Sequence, residues 1–236
     1  TDSHFDTRLL ATTRQGPTMT ERTKETLKQA VVEAGLKMVQ QGLTVGTWGN
    51  ISIRDSETGL MYISPSAIDY EDVRLADIAV LNDELEVIDG SARPSIEKRM
   101  HLAVYRARED VNAVIHTHPL YSSVLGVNGM DLPGISEDFV QIVGDRIICS
   151  EYALPGTQEL AENVVEGLGN RNAVLLPNHG TLCVGKDMDH AFKVCHVLEK
   201  TAHIFILARS IGAPNVISDE DIKEMQHFAQ TVYGQG

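Results

Sequence analysis

The sequence predicts one α/β domain of the α+β kind, with a mixed central β-sheet flanked by helices. Three observations carry that prediction: a helical opening, a block of short strand-like runs before Pro94, and strand and helix signals that alternate after it. The chain has 236 residues, 42% of them apolar and 22% charged, enough to bury one full core, and no repeat, low-complexity tract or long linker divides it. The domain is expected to span residues 19–236. Residues 1–18 read as a tag or leader, because they show no periodicity and Met19-Thr20-Glu21 resembles a natural start, although Thr18-x-x-Glu21 also fits a capping box.

Taken in order, Leu27, Ala30, Val31, Ala34 and Met38 recur at helical spacing, and Gly42 supplies the stop. Ile51 and Ile53 alternate with polar neighbours, Leu60 to Ser64 follows a Glu57-Thr58-Gly59 turn, and Ile78–Leu81 and Leu85–Ile88 flank Asn82-Asp83-Glu84 as a hairpin. After Pro94 a helix is expected over Ile96 to Arg108, then the apolar run Val114-Ile115 and a second helix. Ser218-x-x-Asp221 opens a last helix running towards Tyr233.

Charge and cysteine usage exclude several partners. With 20 Lys and Arg against 33 Asp and Glu, the formal charge of −13 repels nucleic acid and anionic bilayers alike. A small anionic substrate stays possible, since backbone N–H groups and a metal can override that field locally. Cys149, Cys183 and Cys195 form no C-x-x-C pair and leave one over, so a reducing compartment, the cytoplasm, is expected. No apolar stretch is long enough to span a membrane.

The chemistry concentrates in a few segments. In Asn112-Ala-Val-Ile-His116-Thr-His118-Pro119 an apolar strand-like run leads into two histidines at i, i+2, which a strand's period of two places on one face. Ala173-Val-Leu-Leu-Pro-Asn178-His179-Gly180 repeats the arrangement and offers a third nitrogen ligand, and three histidines with an open position are the usual make-up of a catalytic zinc site. His101, His190, His196, His203 and His227 lie in helical stretches and read as satisfied structural residues, and His4 falls in the presumed leader. Glu97, in Arg93-Pro-Ser95-Ile-Glu97, sits at a helix mouth, where it either complements the helix dipole or serves a site. The runs Thr47-Trp-Gly49-Asn50-Ile-Ser52 and Ser64-Pro-Ser66-Ala67 can form a phosphate nest or simply turn the chain.

Together these segments resemble the class II aldolase/adducin family, most closely its L-fuculose-1-phosphate aldolase branch, from Met19 to Gly236. The 19 positions from Glu97 to His116 and the 61 from His118 to His179 match the family's own intervals. The resemblance implies a metal-dependent carbon–carbon lyase that cleaves a small ketose 1-phosphate to dihydroxyacetone phosphate and an aldehyde. It makes His116, His118 and His179 the ligands of one divalent ion per subunit, zinc first, with manganese or cobalt as alternatives. Glu97 becomes a fourth ligand in the resting enzyme and the acid/base once substrate displaces it. Gly49, Asn50, Ser66, Ala67, Ser95 and Ile96 fall where the family binds phosphate, with Ala67 standing for an expected glycine and Ile96 for a serine. On the aldehyde side Glu137 stands for a tyrosine and Pro155 for a phenylalanine, while Tyr233 matches the family's C-terminal active-site tyrosine. A fourfold homotetramer with interfacial sites, Glu137 reaching the neighbour's, is also implied. Other activities of the family are 4-epimerisation, which uses aspartate at the place of Glu97, methylthioribulose-1-phosphate dehydration, which lacks that carboxylate, phospho-sugar-acid decarboxylation, and non-catalytic adducin-like assembly.

Overall fold

In a computed structural model, residues 21–231 are described, and the leader and Tyr233 lie outside them. Helix α1 (Glu21–Gln40) ends where the sequence stops it: Gly42, at φ 69°, and Leu43 donate their N–H groups back to Val39 and Met38, closing the last turn. Four short strands follow, β1 (Asn50–Arg54), β2 (Met61–Ile63), β3 (Ala79–Leu81) and β4 (Val87–Asp89). The expected hairpin joins the last two, but its second strand starts two residues late. Leu85 adopts a left-handed φ of 65° and the Asn82 side chain accepts from the N–H groups of Glu84 and Glu86, so Leu85 belongs to the turn.

The remaining elements are α2 (Lys98–Ala107), β5 (Ala113–Thr117), α3 (Leu120–Val127), β6 (Leu132–Pro133), α4 (Glu137–Ile142), β7 (Arg146–Ile147), α5 (Gln158–Leu168), β8 (Ala173–Leu176), β9 (Gly180–Gly185), α6 (Met188–Ile211) and α7 (Asp219–Thr231). Side chains cap α5 to α7 as their sequences suggest: Thr157, Asp187 and Ser218 accept from the N–H groups of Leu160, His190 and Asp221. Seven strands form the main sheet in the order β4-β3-β2-β1-β5-β9-β8, and β6 pairs with β7 alone. Every ladder in it is antiparallel; the parallel component of the expected mixed sheet is the single bridge between Cys149 and Leu175.

The strand period divides the core in two. Ile51, Ile115, Cys183 and Leu175 pack with Met38 of α1 and Leu198 of α6, whereas Val114, Leu182, Val184 and Val174 pack with Met100 and Val104 of α2 and Leu160 and Val164 of α5. Being covered on both faces, β5, β8 and β9 are buried along their whole length, which is why they read as unbroken apolar runs rather than alternating ones. His116 has the parity of Val114, so it faces α2, the helix at whose mouth Glu97 sits. Among the described residues no helix is long and apolar enough to cross a membrane.

Candidate metal centre and active site

Three chain segments bring the histidines together. His116 lies in β5, paired with Asn50 of β1 on one side and Leu182 of β9 on the other. His118 follows the strand, its backbone N–H held by the Leu43 carbonyl at 3.0 Å. His179 occupies the tight turn between β8 and β9, entered through Asn178 at φ 56° and left through Gly180, where a side chain would collide with the Thr117 carbonyl. The ligand atoms of the three rings all lie within 4.8 Å of one another.

Ring orientation suits a cation. The His116 Nδ1 lies 2.8 Å from the Thr181 carbonyl, which can only accept; Nδ1 therefore carries the proton and leaves the Nε2 lone pair facing inward. That Nε2 is 3.0 Å from the Nε2 of His118, a spacing that a hydrogen bond from His118 satisfies in the metal-free site and that two ligands of one ion can also adopt. Glu97 closes the cluster, with Oε2 3.3 Å from His116 Nε2 and Oε1 3.4 Å from His179 Nε2. Oε2 accepts from the Asn50 amide at 2.8 Å, whereas Oε1 is buried without a hydrogen-bond partner. Such an atom is costly to bury unless a cation meets it, so three imidazoles and one carboxylate fit a divalent ion.

Protonation works the same way. Burial and the neighbouring His116 hold His118 and His179 down to about 4, so both are neutral and ready to bind metal at pH 7. Burial pushes the Glu97 carboxyl up, but His116, His179 and the Asn50 hydrogen bond outweigh it, and the net direction is down. The Asn50 N–H favours the carboxylate whatever the charge of the rings.

Two hollows meet at this cluster. One of about 180 Å³ is lined by Gly49, Asn50, Ser66, Ala67, Ser95 and Ile96, together with Glu97, His118 and His179, and shares Trp48 and Pro155 with the other. All six residues expected at the phosphate thus share one pocket with three of the four candidate ligands, Glu97, His118 and His179. No group among the described residues takes the N–H of Ala67 or Ile96, and the helix α2 directs its positive end here. The glycine expected in place of Ala67 is explained by its φ of 60°, a conformation that costs an alanine roughly 1–2 kcal/mol. Gly49 has no such latitude, since a Cβ there would come within 2.6 Å of the His116 carbonyl at a φ of 74°. The second hollow, about 400 Å³, is lined by Val45, Trp48, Tyr152 and Pro155 beside His118, Asn178 and His179.

Glu137 is exposed in the first turn of α4 and lines neither hollow, so within one chain it stands apart from the cluster. Of the histidines read as satisfied, His196 meets Gln41, His203 stacks on Tyr121 and His227 is exposed on α7, whereas His190, in the first turn of α6, keeps its Nδ1 buried with no hydrogen-bond partner among the described residues. His101 is also satisfied, but by Ser52 and by Asn50, which in turn holds Glu97. This connection and the apolar wall of Trp48 and Tyr152 escaped the sequence reading. The i, i+4, i+8 spacing of Glu97, His101 and Tyr105, opposite Asn50 and Ser52 at i, i+2, was the available signal for the first.

Burial, aided by repulsion from His116, holds His101 down to about 3, against about 6.5 in the unfolded chain. Its folded state therefore takes up fewer protons, so the stability it confers is complete above pH 6.5 and lost as pH falls below that value. At pH 5 the loss from His101 alone is about 2 kcal/mol, with His118 and His179 adding in the same direction in metal-free protein. Urea unfolding in chelator should give a lower midpoint at pH 5 than at pH 8, and equal midpoints would contradict buried neutral imidazoles.

Comparison with known proteins places the chain in a family. Residues 29–206 match the sequence model of the Class II Aldolase and Adducin N-terminal domain. The 5-deoxy-D-ribulose 1-phosphate aldolase of Bacillus thuringiensis serovar kurstaki (strain ATCC 35866 / NRRL B-4488 / HD73) is 39% identical over 209 residues, 89% of this chain and 96% of that protein. The L-fuculose phosphate aldolase of Escherichia coli (strain K12) is 34% identical over 203 residues, 86% of this chain and 92% of that one. A solved L-fuculose 1-phosphate aldolase superposes with a TM-score of 0.85 at 37% identity, covering 87% of this chain and 96% of its own. The chain belongs to the class II aldolase and adducin N-terminal domain family.

Proposed function

We propose that the protein is a divalent-metal-dependent aldolase that cleaves a small ketose 1-phosphate to dihydroxyacetone phosphate and an aldehyde with a short apolar tail. The observation that carries this reading is the junction itself: Glu97, His118 and His179, with His116 beside them, sit where a hollow bordered by the N–H groups of Ala67 and Ile96 meets one walled by Val45, Trp48, Tyr152 and Pro155. A ketose 1-phosphate with a deoxygenated far end has that same polarity. The names of the relatives, both aldolases of such phosphates, support it.

His116, His118 and His179 would hold the ion, zinc by the all-imidazole donor set with manganese or cobalt as alternatives, and Glu97 would complete the set at rest. When bound, a divalent ion supplies Lewis-acid stabilisation of the negative charge left on the ketose oxygens as the C3–C4 bond breaks. Ser66, Ala67, Ser95 and Ile96, with Gly49 and Asn50, anchor the phosphate and so fix the register of the sugar. Glu97 delivers the proton to C3, the carbon of the phosphate-bearing half from which C4 departs, giving dihydroxyacetone phosphate in cleavage. At the other end Tyr233 would serve the C4 oxygen, accepting its hydroxyl proton in cleavage and donating it back to the aldehyde oxygen in condensation, with Glu137 acting from a neighbouring subunit of a homotetramer. Trp48, Tyr152 and Pro155 would give the tail an apolar wall.

The test is to incubate metal-loaded protein with a panel of ketose 1-phosphates and identify products by mass spectrometry. Dihydroxyacetone phosphate plus aldehyde is expected; a dehydrated phosphate with no aldehyde trapped by a coupled dehydrogenase would refute the aldolase. Trp48→Ala should lower the kcat/KM ratio of a 5-deoxy over a 5-hydroxy substrate by about tenfold, the scale of one methyl group in an apolar pocket. An unchanged ratio would remove Trp48 from the tail site.

A further inference from the structure

Behind Glu97 lies a file of buried polar groups that touches neither hollow beyond Asn50. Glu97, His101 and Tyr105 are spaced four residues apart along one face of α2 and its N-cap, against Asn50 and Ser52 on the facing side of β1. All five are buried, and His101 and Ser52 entirely. The contacts run Glu97 Oε2 to Asn50 Nδ2 at 2.8 Å, Asn50 Oδ1 to His101 Nε2 at 2.5 Å, His101 Nδ1 to Ser52 Oγ at 2.7 Å, and Ser52 Oγ to Tyr105 OH at 2.8 Å.

Hydrogen-bond chemistry gives every link a direction. A carboxylate oxygen accepts, so Asn50 turns its NH₂ to Glu97 and its carbonyl to His101. That carbonyl also accepts, so His101 carries its proton on Nε2 and presents a bare Nδ1. Ser52 must then donate to Nδ1, and its oxygen receives the Tyr105 hydroxyl. Turning the Asn50 amide over would set its oxygen against the Glu97 carboxylate and force the His101 proton to Nδ1, where it would compete with the Tyr105 hydroxyl for the Ser52 oxygen and leave one hydroxyl hydrogen without an acceptor.

We infer that His101 is a positioning residue for the reaction proposed above: held in one tautomer by Ser52 and Tyr105, it locks the Asn50 amide so that Glu97 is kept as an oriented carboxylate at the reacting carbon. This rests on the aldolase reading for its kinetic consequence but not for its spectroscopic one. Burial, with repulsion from His116, keeps the ring neutral, as the donor and acceptor pair requires.

In metal-loaded enzyme, His101→Leu removes the donor while keeping an apolar side chain of similar reach, and His101→Gln restores an N–H at the end of a chain of similar length. His101→Leu should lower kcat about 10- to 100-fold, with KM within about threefold and metal content retained, on the scale of outer-shell partners. His101→Gln should recover most of that loss. In an Asn50→Ala background His101→Leu should cost nothing further, because the route to Glu97 is already cut. A full additional loss in the double variant, or kcat equal to wild type in His101→Leu, would overturn the inference, as would a parallel fall of kcat, metal content and melting temperature that His101→Gln does not rescue. Separately, ¹⁵N spectra of the wild-type protein should show His101 as the neutral Nε2–H tautomer at pH 7. An Nδ1–H tautomer or an imidazolium would refute the relay even if the protein cleaved no ketose phosphate, whereas absence of cleavage with the expected tautomer would refute the aldolase reading alone.

Discussion

Replacing His118 by alanine is expected to lower divalent-metal affinity by more than about 100-fold and to take turnover with it. Changes in groups that merely orient a ligand already cost ~10–100-fold, and loss of an inner donor must exceed that. His118 is the cleanest of the three positions to test. Its ring is half-buried, its backbone is fixed independently by the Leu43 carbonyl, and it belongs to no core cluster, so truncation leaves the fold its packing. His116, by contrast, is fully buried and bonded to the Thr181 carbonyl, and its loss would open a void in the sheet. The measurements are metal content after dialysis, melting temperature in chelator and the rate of ketose phosphate cleavage. An unchanged melting temperature with little metal and little activity is expected. Full metal at full rate would show that the ion is held elsewhere.

The histidines were legible because local rules place them. An apolar run buried on both faces can only be an interior strand, and its period of two carries Val114 to His116 and onward to His118. Around His179 the chain needs Asn178 at a left-handed φ of 56° and, at Gly180, a residue without a Cβ to pass the Thr117 carbonyl. The boundaries were blurred where a side chain competes with the ladder, as when Asn82 draws Leu85 into the turn. What local rules cannot give is the contact between Asn50 and Glu97, which lie 47 residues apart and meet only because α2 packs across β1. His101 looked inert for the same reason: on its helix it is an ordinary buried histidine, and its consequence appears only once the strand opposite supplies Ser52 and Asn50. The apolar hollow likewise collects Val45, Trp48, Tyr152 and Pro155 from two distant loops, neither of which shows apolar periodicity. Glu137 poses the reverse case, a residue singled out in sequence whose surroundings in a single chain offer it nothing to act on.

Glu97→Gln should separate metal binding from proton transfer. Glutamine is isosteric, so its carbonyl can still accept from Asn50, and the three imidazoles remain to hold the ion. What disappears is a group that can take and return a proton. General acid–base catalysis of this kind is worth ~10²–10⁴-fold, and the exchange of the hydroxymethylene proton of dihydroxyacetone phosphate with deuterated solvent reports it without any aldehyde. Exchange in Glu97→Gln should fall by that factor in protein saturated with metal, where a weaker fourth ligand does not limit occupancy. The carboxylate is also the partner that Asn50 addresses, so Asn50→Ala should slow exchange too, but less, because an unanchored Glu97 can still reach the carbon for part of the time. The order wild type, Asn50→Ala, Glu97→Gln is therefore diagnostic. If Glu97→Gln exchanged as fast as wild type, the base would have to be sought among the other groups of the cleft, and Glu97 would be only a fourth ligand.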